Sequence, residues 1–219
     1  DRKAGLAAAI RDRKARVCVR QRWYSVPASL AGRHVMVRLG ARTVEEDAVG
    51  HLLVANTHDW ALFFTDRGRV FSSKVHAVPD ASRQAKGVPI INLEGVQVEA
   101  GERVLAVITL PNFEKGHNLV MATQMGIIKK TPVEQFERVR STGIRAITVA
   151  EEDALAWVGV SSGHDDVLLA TAQGRIARFH ENEVRPMGRD AAGVIGIRLA
   201  RKGDQVVGMR VVTGAEDLL

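Results

Sequence analysis

The sequence predicts an all-β protein: a partial propeller-like array of four-stranded blades, preceded by a short helix and an N-terminal β segment. Three observations predict it. Apolar residues alternate with polar ones over most of the chain, as in Val17, Val19, Val35, Val37 and Leu39. Valine, isoleucine and 20 glycines dominate, and no segment after residue 16 sustains a 3.6-residue period. A unit of about 50 residues recurs three times, and a period of that size reads as stacked blades.

Taken in order, residues 1–16 read as a short helix, because Leu6, Ala7, Ala8, Ala9 and Ile10 favour it and Arg11, Arg13 and Lys14 suit its last turn. Residues 1–46 form one segment, the helix followed by a small β element. Residues 47–219 hold the blades, divided near 47–110, 111–160 and 161–212. Each repeat begins with an apolar strand, Leu52–Thr57, Leu119–Thr123 or Val167–Thr171. A hairpin glycine follows (Gly68, Gly126, Gly174), then a second glycine opening another strand (Gly87, Gly143, Gly193), and last an acid-led strand from Glu102, Asp153 or Asp204. The hairpin glycines answer the positive φ of a tight turn. A helical turn is expected only near Pro132–Arg140. Blades must stack, because a lone four-stranded sheet cannot bury both faces.

Composition narrows the function. No apolar run approaches the ~20 residues of a membrane helix, the first residues are not a secretory signal, and a single cysteine, Cys18, leaves no disulfide framework. A cytoplasmic chain is the expectation. The start at Asp1, without an initiator methionine, suggests a fragment of something longer. The seven histidines show no metal-ligand spacing, and His164-Asp165-Asp166 reads as an acidic turn. No Gly-x-x-x-x-Gly-Lys-Ser/Thr loop occurs. Tyr24, the single tyrosine, reads as a packing residue, so no catalytic residue is expected.

The net charge of +6 is unevenly placed: residues 1–46 carry 11 Lys/Arg against 4 Asp/Glu, and the rest carries 20 against 21. Within the repeats, however, charge alternates with the blade period. Basic zones lie at 66–86 (Arg67, Arg69, Lys74, Arg83, Lys86), 126–145 (Lys129, Lys130, Arg138, Arg140, Arg145) and 174–198 (Arg175, Arg178, Arg185, Arg189, Arg198). The stretches 87–114 and 146–173 carry −3 and −5. In a circular stack these zones would form a basic band, the pattern that tracks a phosphate backbone. Aromatics make up 5% of the chain, too few for a base-stacking platform, so double-stranded DNA bound with little sequence preference is the expected partner. The patterning leaves open a propeller that binds protein through its acidic edges.

Several runs carry a resemblance. Glu45-Glu46-Asp47, Leu52–Asp59, Leu62–Val70, Leu119–Thr123, Lys129–Pro132, Ile176–Phe179 and Val184–Arg189 are similar, in order, to the C-terminal domain of DNA gyrase A. The resemblance covers roughly residues 41–219. It implies a β-pinwheel, a nucleoid-associated cytoplasmic location, and DNA wrapped on the basic band. The chain itself would be non-catalytic and without cofactor. Its partners would be the breakage-reunion domain of gyrase A and the ATPase gyrase B, in an ATP- and magnesium-using type II topoisomerase. The family domain usually has six blades, of which about three and a half are readable here, and its Gln-Arg-Arg-Gly-Gly-x-Gly box is absent. In the place of that box, Arg20–Pro27 and Gly32–Leu39 resemble the small C-terminal barrel of integrase-type transposases. This points to a fusion with its junction near Glu45, or to a transposase-derived DNA-binding fragment, as an alternative.

Overall fold

The computed structural model describes residues 53, 55–79, 89–199 and 201–213 in full, and residues 6–9, 15–19, 22–26 and 34–37 as backbone strands. The chain divides into two compact units: residues 1–62, 72–97 and 108–112 in one, and 63–71, 98–107 and 113–219 in the other.

The N-terminal stretch corrects one expectation. Leu6–Ala9 (β1) is not helical: it is a strand, antiparallel to His34–Val37 (β4), and Ala15–Val19 (β2) forms a hairpin with Arg22–Val26 (β3). An alanine run is only a weak helix former when it is shorter than ~12–15 residues, and pairing with a strand overrides it.

Three larger sheets follow among the described residues. In the first unit, Trp60–Leu62 opens strand β5 (Trp60–Thr65), Ser72–Lys74 closes β6 (Arg69–Lys74), and Ile108–Leu110 closes β7 (Val104–Leu110). Leu62, Val75, Val78, Leu93, Val96 and Leu110 are buried there. Lys74 lays its ammonium 3.8 Å from the Trp60 ring centroid and donates to the His58 carbonyl at 2.9 Å.

The second unit shows how the repeats join. Asn118–Thr123 (β8), Ile127–Pro132 (β9) and Leu155–Ser161 (β11) form one sheet. Asp166–Thr171 (β12), Ile176–His180 (β13) and Val206–Val212 (β15) form the next. The short strands after the second glycines, Ile144–Arg145 (β10) and Val194–Ile195 (β14), do not complete their own repeat. β10 pairs with β6, Ile144 opposite Val70, and β14 pairs with β9, Val194 opposite Ile128. Each of these sheets is therefore closed by the repeat that follows it, giving the orders β10-β6-β5-β7 and β11-β8-β9-β14.

The joint is the same both times. The Gly68 carbonyl accepts from the Ala146 and Ile147 amides at 2.8 and 3.1 Å, and the Gly126 carbonyl from Gly196 and Ile197 at 2.9 and 3.2 Å. A β-carbon at Gly126 would meet the Ile197 carbonyl at 2.5 Å, so this glycine supplies both a φ of +85° and the room for the incoming strand. The hairpins share one further device. Thr65, Thr123 and Thr171 Oγ1 each accept, at 3.2 Å, from the amide of the residue after the glycine. The acids that lead the closing strands cap these turns: Asp153 accepts from Met125 N and Asp204 from Gln173 N. The core of this unit gathers Val120, Ile128, Val167, Leu169, Val184 and Val206, and Phe64 meets Phe136 edge-on with centroids 6.3 Å apart. Phe136 ends the 3-10 turn Val133–Phe136, where the helical turn is expected.

Candidate nucleic-acid interface

The fifteen predicted cations separate into four groups. Arg83 and Lys86 lie outside the described residues.

Two are interior. Lys129 is 0% exposed, and its Nζ donates to the carbonyls of Ala146 at 2.7 Å and Arg189 at 2.5 Å. Lys130 is buried too, donating to the Glu181 carbonyl at 2.7 Å with a Glu181 carboxylate oxygen at 3.4 Å. Both expectations are thereby corrected: neither ammonium reaches a surface where a phosphate could sit. The physical reason is that β9 is an inner strand covered on both faces, so adjacent residues pointing opposite ways are both enclosed.

A third group is exposed or half-buried but already engaged. Arg69 reaches Glu99 at 2.7 Å and Glu102 at 2.9 Å, donates to the Thr142 carbonyl, and lies 5.0 Å from the Phe71 centroid. Arg67 pairs with Glu99 and Arg178 with Asp166. Lys74 sits on Trp60, and Arg175 donates to the Arg198 carbonyl at 2.8 Å. The acidic stretch 87–114, separate in sequence, thus folds back onto the first basic zone.

The fourth group is available. Arg138, Arg140, Arg145, Arg185 and Arg198 are exposed, and among the described residues none has a carboxylate within salt-bridge distance. Arg138, Arg140, Arg145 and Arg189 line one open cleft of about 560 Å³ with Val139, Ile144 and Asp190. The cleft joins two of the predicted zones: the loop after the Val133–Phe136 turn, strand β10, and the loop after β13. Four guanidiniums around one carboxylate leave a strongly positive concavity, suited to bridging phosphates.

Lys129 is the residue whose role sequence reasoning missed. Its two carbonyl acceptors are Ala146, next to Arg145, and Arg189 itself. One buried ammonium therefore ties two cleft walls together from beneath. The clue in the sequence is positional, since the repeat places Lys129 where Phe71 stands, and Phe71 is buried. Burial pushes the Lys129 pKa down to about 8, with Asp190 opposing and Arg189 reinforcing the shift. An unfolded lysine titrates near 10.5, so between about pH 8 and 10.5 the unfolded chain binds more protons than the folded one. Stability should therefore rise with pH across that window, by about 1–3 kcal/mol. Denaturant melts of the parent and Lys129→Met test this: the parent should gain on the variant from pH 8 to 10.5, and parallel pH profiles would refute it.

Among the described residues no helix is long and apolar enough to cross a membrane. Asp165 of the His164-Asp165-Asp166 turn is buried and accepts from the Ser162 amide at 2.7 Å, a structural cap.

Comparison with known proteins agrees with this architecture. A family model described as DNA gyrase C-terminal domain, beta-propeller, matches residues 59–111, 117–162 and 165–213. The DNA gyrase A protein of Klebsiella oxytoca is 48% identical over 178 residues, 81% of this chain and 20% of that protein. Its Escherichia coli K12 counterpart is 46% identical over 174 residues, 80% and 20% respectively. The chain thus spans about a fifth of the length of these relatives. Among solved structures, the C-terminal domain of DNA topoisomerase IV superposes with a TM-score of 0.73 at 23% identity, covering 97% of this chain and 63% of the other. The DNA gyrase A C-terminal domain gives 0.68 at 16%, covering 90% and 64%. At those identities the superpositions speak for the fold alone. None of these matches supports the transposase resemblance of the N-terminal segment.

Proposed function

The chain belongs to the DNA gyrase C-terminal domain family, and from that premise we propose that it binds and wraps double-stranded DNA as a non-catalytic part of a type II topoisomerase. The observation that carries the reading is the cleft of Arg138, Arg140, Arg145 and Arg189, four cations contributed by two successive repeats around a single carboxylate. Guanidiniums spread over loops and a strand end meet phosphates without reading bases, so binding is indifferent to sequence and falls steeply with salt. ATP and magnesium belong to the rest of the parent enzyme, and so do the breakage-reunion domain and gyrase B as partners. The location that follows is cytoplasmic, on the nucleoid.

Wrapping is more than binding, and it is tested by topology. A nicked plasmid is sealed by ligase with and without the chain, and the topoisomers are resolved after protein removal. A wrapped path shifts the linking-number distribution in proportion to bound protein. An unshifted distribution under conditions of full binding would show that the chain holds DNA without wrapping it.

A further inference from the structure

The two filled strand joints leave a third hairpin to compare with them. Gly174 has the same left-handed φ as Gly68 and Gly126, +81° against +75° and +85°, and its hairpin carries the same threonine bond. Its strand β13 pairs with β12, and among the described residues no strand lies on its other edge. Where β-carbons at Gly68 and Gly126 would collide with an incoming strand, one at Gly174 would meet nothing within 4 Å. Val70 and Ile128, which face the incoming strand, are fully buried, whereas the corresponding Ile176 is 68% exposed.

A donor without an acceptor stands at the other end of the repeats. Both inserted strands follow one pattern: Gly143-Ile144-Arg145-Ala146-Ile147 and Gly193-Val194-Ile195-Gly196-Ile197. The remaining copy is Gly87-Val88-Pro89-Ile90-Ile91. In the filled joints the final isoleucine is buried, Ile147 at 0% and Ile197 at 7%, but Ile91 is 62% exposed. Pro89 does not spoil this donor. The bonds to the hairpin carbonyl come from the residues equivalent to Ile90 and Ile91, which keep their amides.

We propose that a second copy of this chain fills the joint: residues 87–91 of one copy add to the β13 edge of another, Val88 opposite Ile176. The exchange is reciprocal, so two copies close on each other and both exposed isoleucines are covered. The chain itself identifies the occupant, because it satisfies this acceptor twice with this same sequence pattern. An unpaired edge beside an exposed isoleucine is a template for strand addition. A donor and an acceptor on one chain make a head-to-tail contact, which a two-fold pair closes. The proposal is independent of DNA binding.

The test is sedimentation velocity of the full chain, with Ile176→Asp and Ile91→Asp. Both side chains are mostly exposed, so neither change disturbs a core. The parent should sediment as a dimer, and each variant should dissociate at least about 100-fold more readily. An equimolar mixture of the two variants should recover a heterodimer through its one intact joint, which a generic sticky patch would not do. A parent that stays monomeric at 100 μM, or forms open-ended assemblies, would overturn the proposal. So would variants that dimerise like the parent, or a mixture that stays monomeric.

Discussion

Reversing the four cleft arginines together, Arg138, Arg140, Arg145 and Arg189 to Glu, is expected to weaken duplex binding by about two to three orders of magnitude at moderate salt. It should also flatten the dependence of log affinity on log salt by roughly 3–4. Counterion release sets the size of both effects. Each guanidinium seated on a phosphate displaces about 0.9 of a condensed cation, and these four are exposed or half-buried around a single carboxylate, Asp190. The comparison that gives the result meaning is Arg67→Glu with Arg178→Glu. Both belong to the predicted set and both already face carboxylates, Glu99 and Asp166. Their reversal should cost no more than a few-fold. A salt titration of a 40-base-pair duplex by fluorescence anisotropy measures both quantities. Equal losses in the two variants would mean that net charge, not the cleft, holds the DNA. Intact binding in the cleft variant would move the function to residues 1–46 or to a protein partner.

The contrast between those two sets marks where sequence reading reaches and where it stops. The hairpins were legible because their causes are local: a glycine in a left-handed turn and a threonine three residues earlier state the same geometry three times. The strand exchange was not legible. Ile144-Arg145 has the same composition whether it closes its own sheet or the preceding one, and only space decides. The basic zones were legible as patterns, but distance along the chain is not distance between charges. Glu99 and Glu102 lie some thirty residues from Arg69 and end within 3 Å of it. Leu6–Ala9 failed for a related reason, since strand pairing is non-local and helix propensity is not. Lys129 and Lys130 read as surface because lysine usually is. The repeat register contained the correction, in the buried Phe71 at the equivalent position.

Glu181→Ala is expected to be the most destabilising single change in the second unit, at about 3–5 kcal/mol, which for a chain of this size lowers Tm by roughly 10 °C. Its carboxylate is fully buried and fully used. One oxygen accepts from the Gly163 and Asp165 amides at 2.8 and 3.0 Å. The other accepts from Ser161 Oγ at 2.8 Å and faces Asn118 and the Lys130 ammonium at 3.4 Å. Removing it strands a buried cation, two amides and a hydroxyl at once, and an uncompensated buried charge is the costliest of these. The effect should spread to the cleft. The Lys130 carbonyl accepts from the Met187 amide at 2.8 Å, so the same segment that loses its counter-ion also anchors the loop carrying Arg189. DNA affinity should therefore fall in Glu181→Ala even at temperatures where the protein is folded, although Glu181 is nowhere near the surface. The double variant Glu181→Met with Lys130→Met separates charge from shape: with both ions gone, most of the lost stability should return, because a well-packed apolar pair carries no unpaired charge. Calorimetry of the three proteins decides the matter. A single variant melting within 1 °C of the parent, or a double variant no better than the single, would show that Glu181 is not the counter-ion that holds this part of the fold.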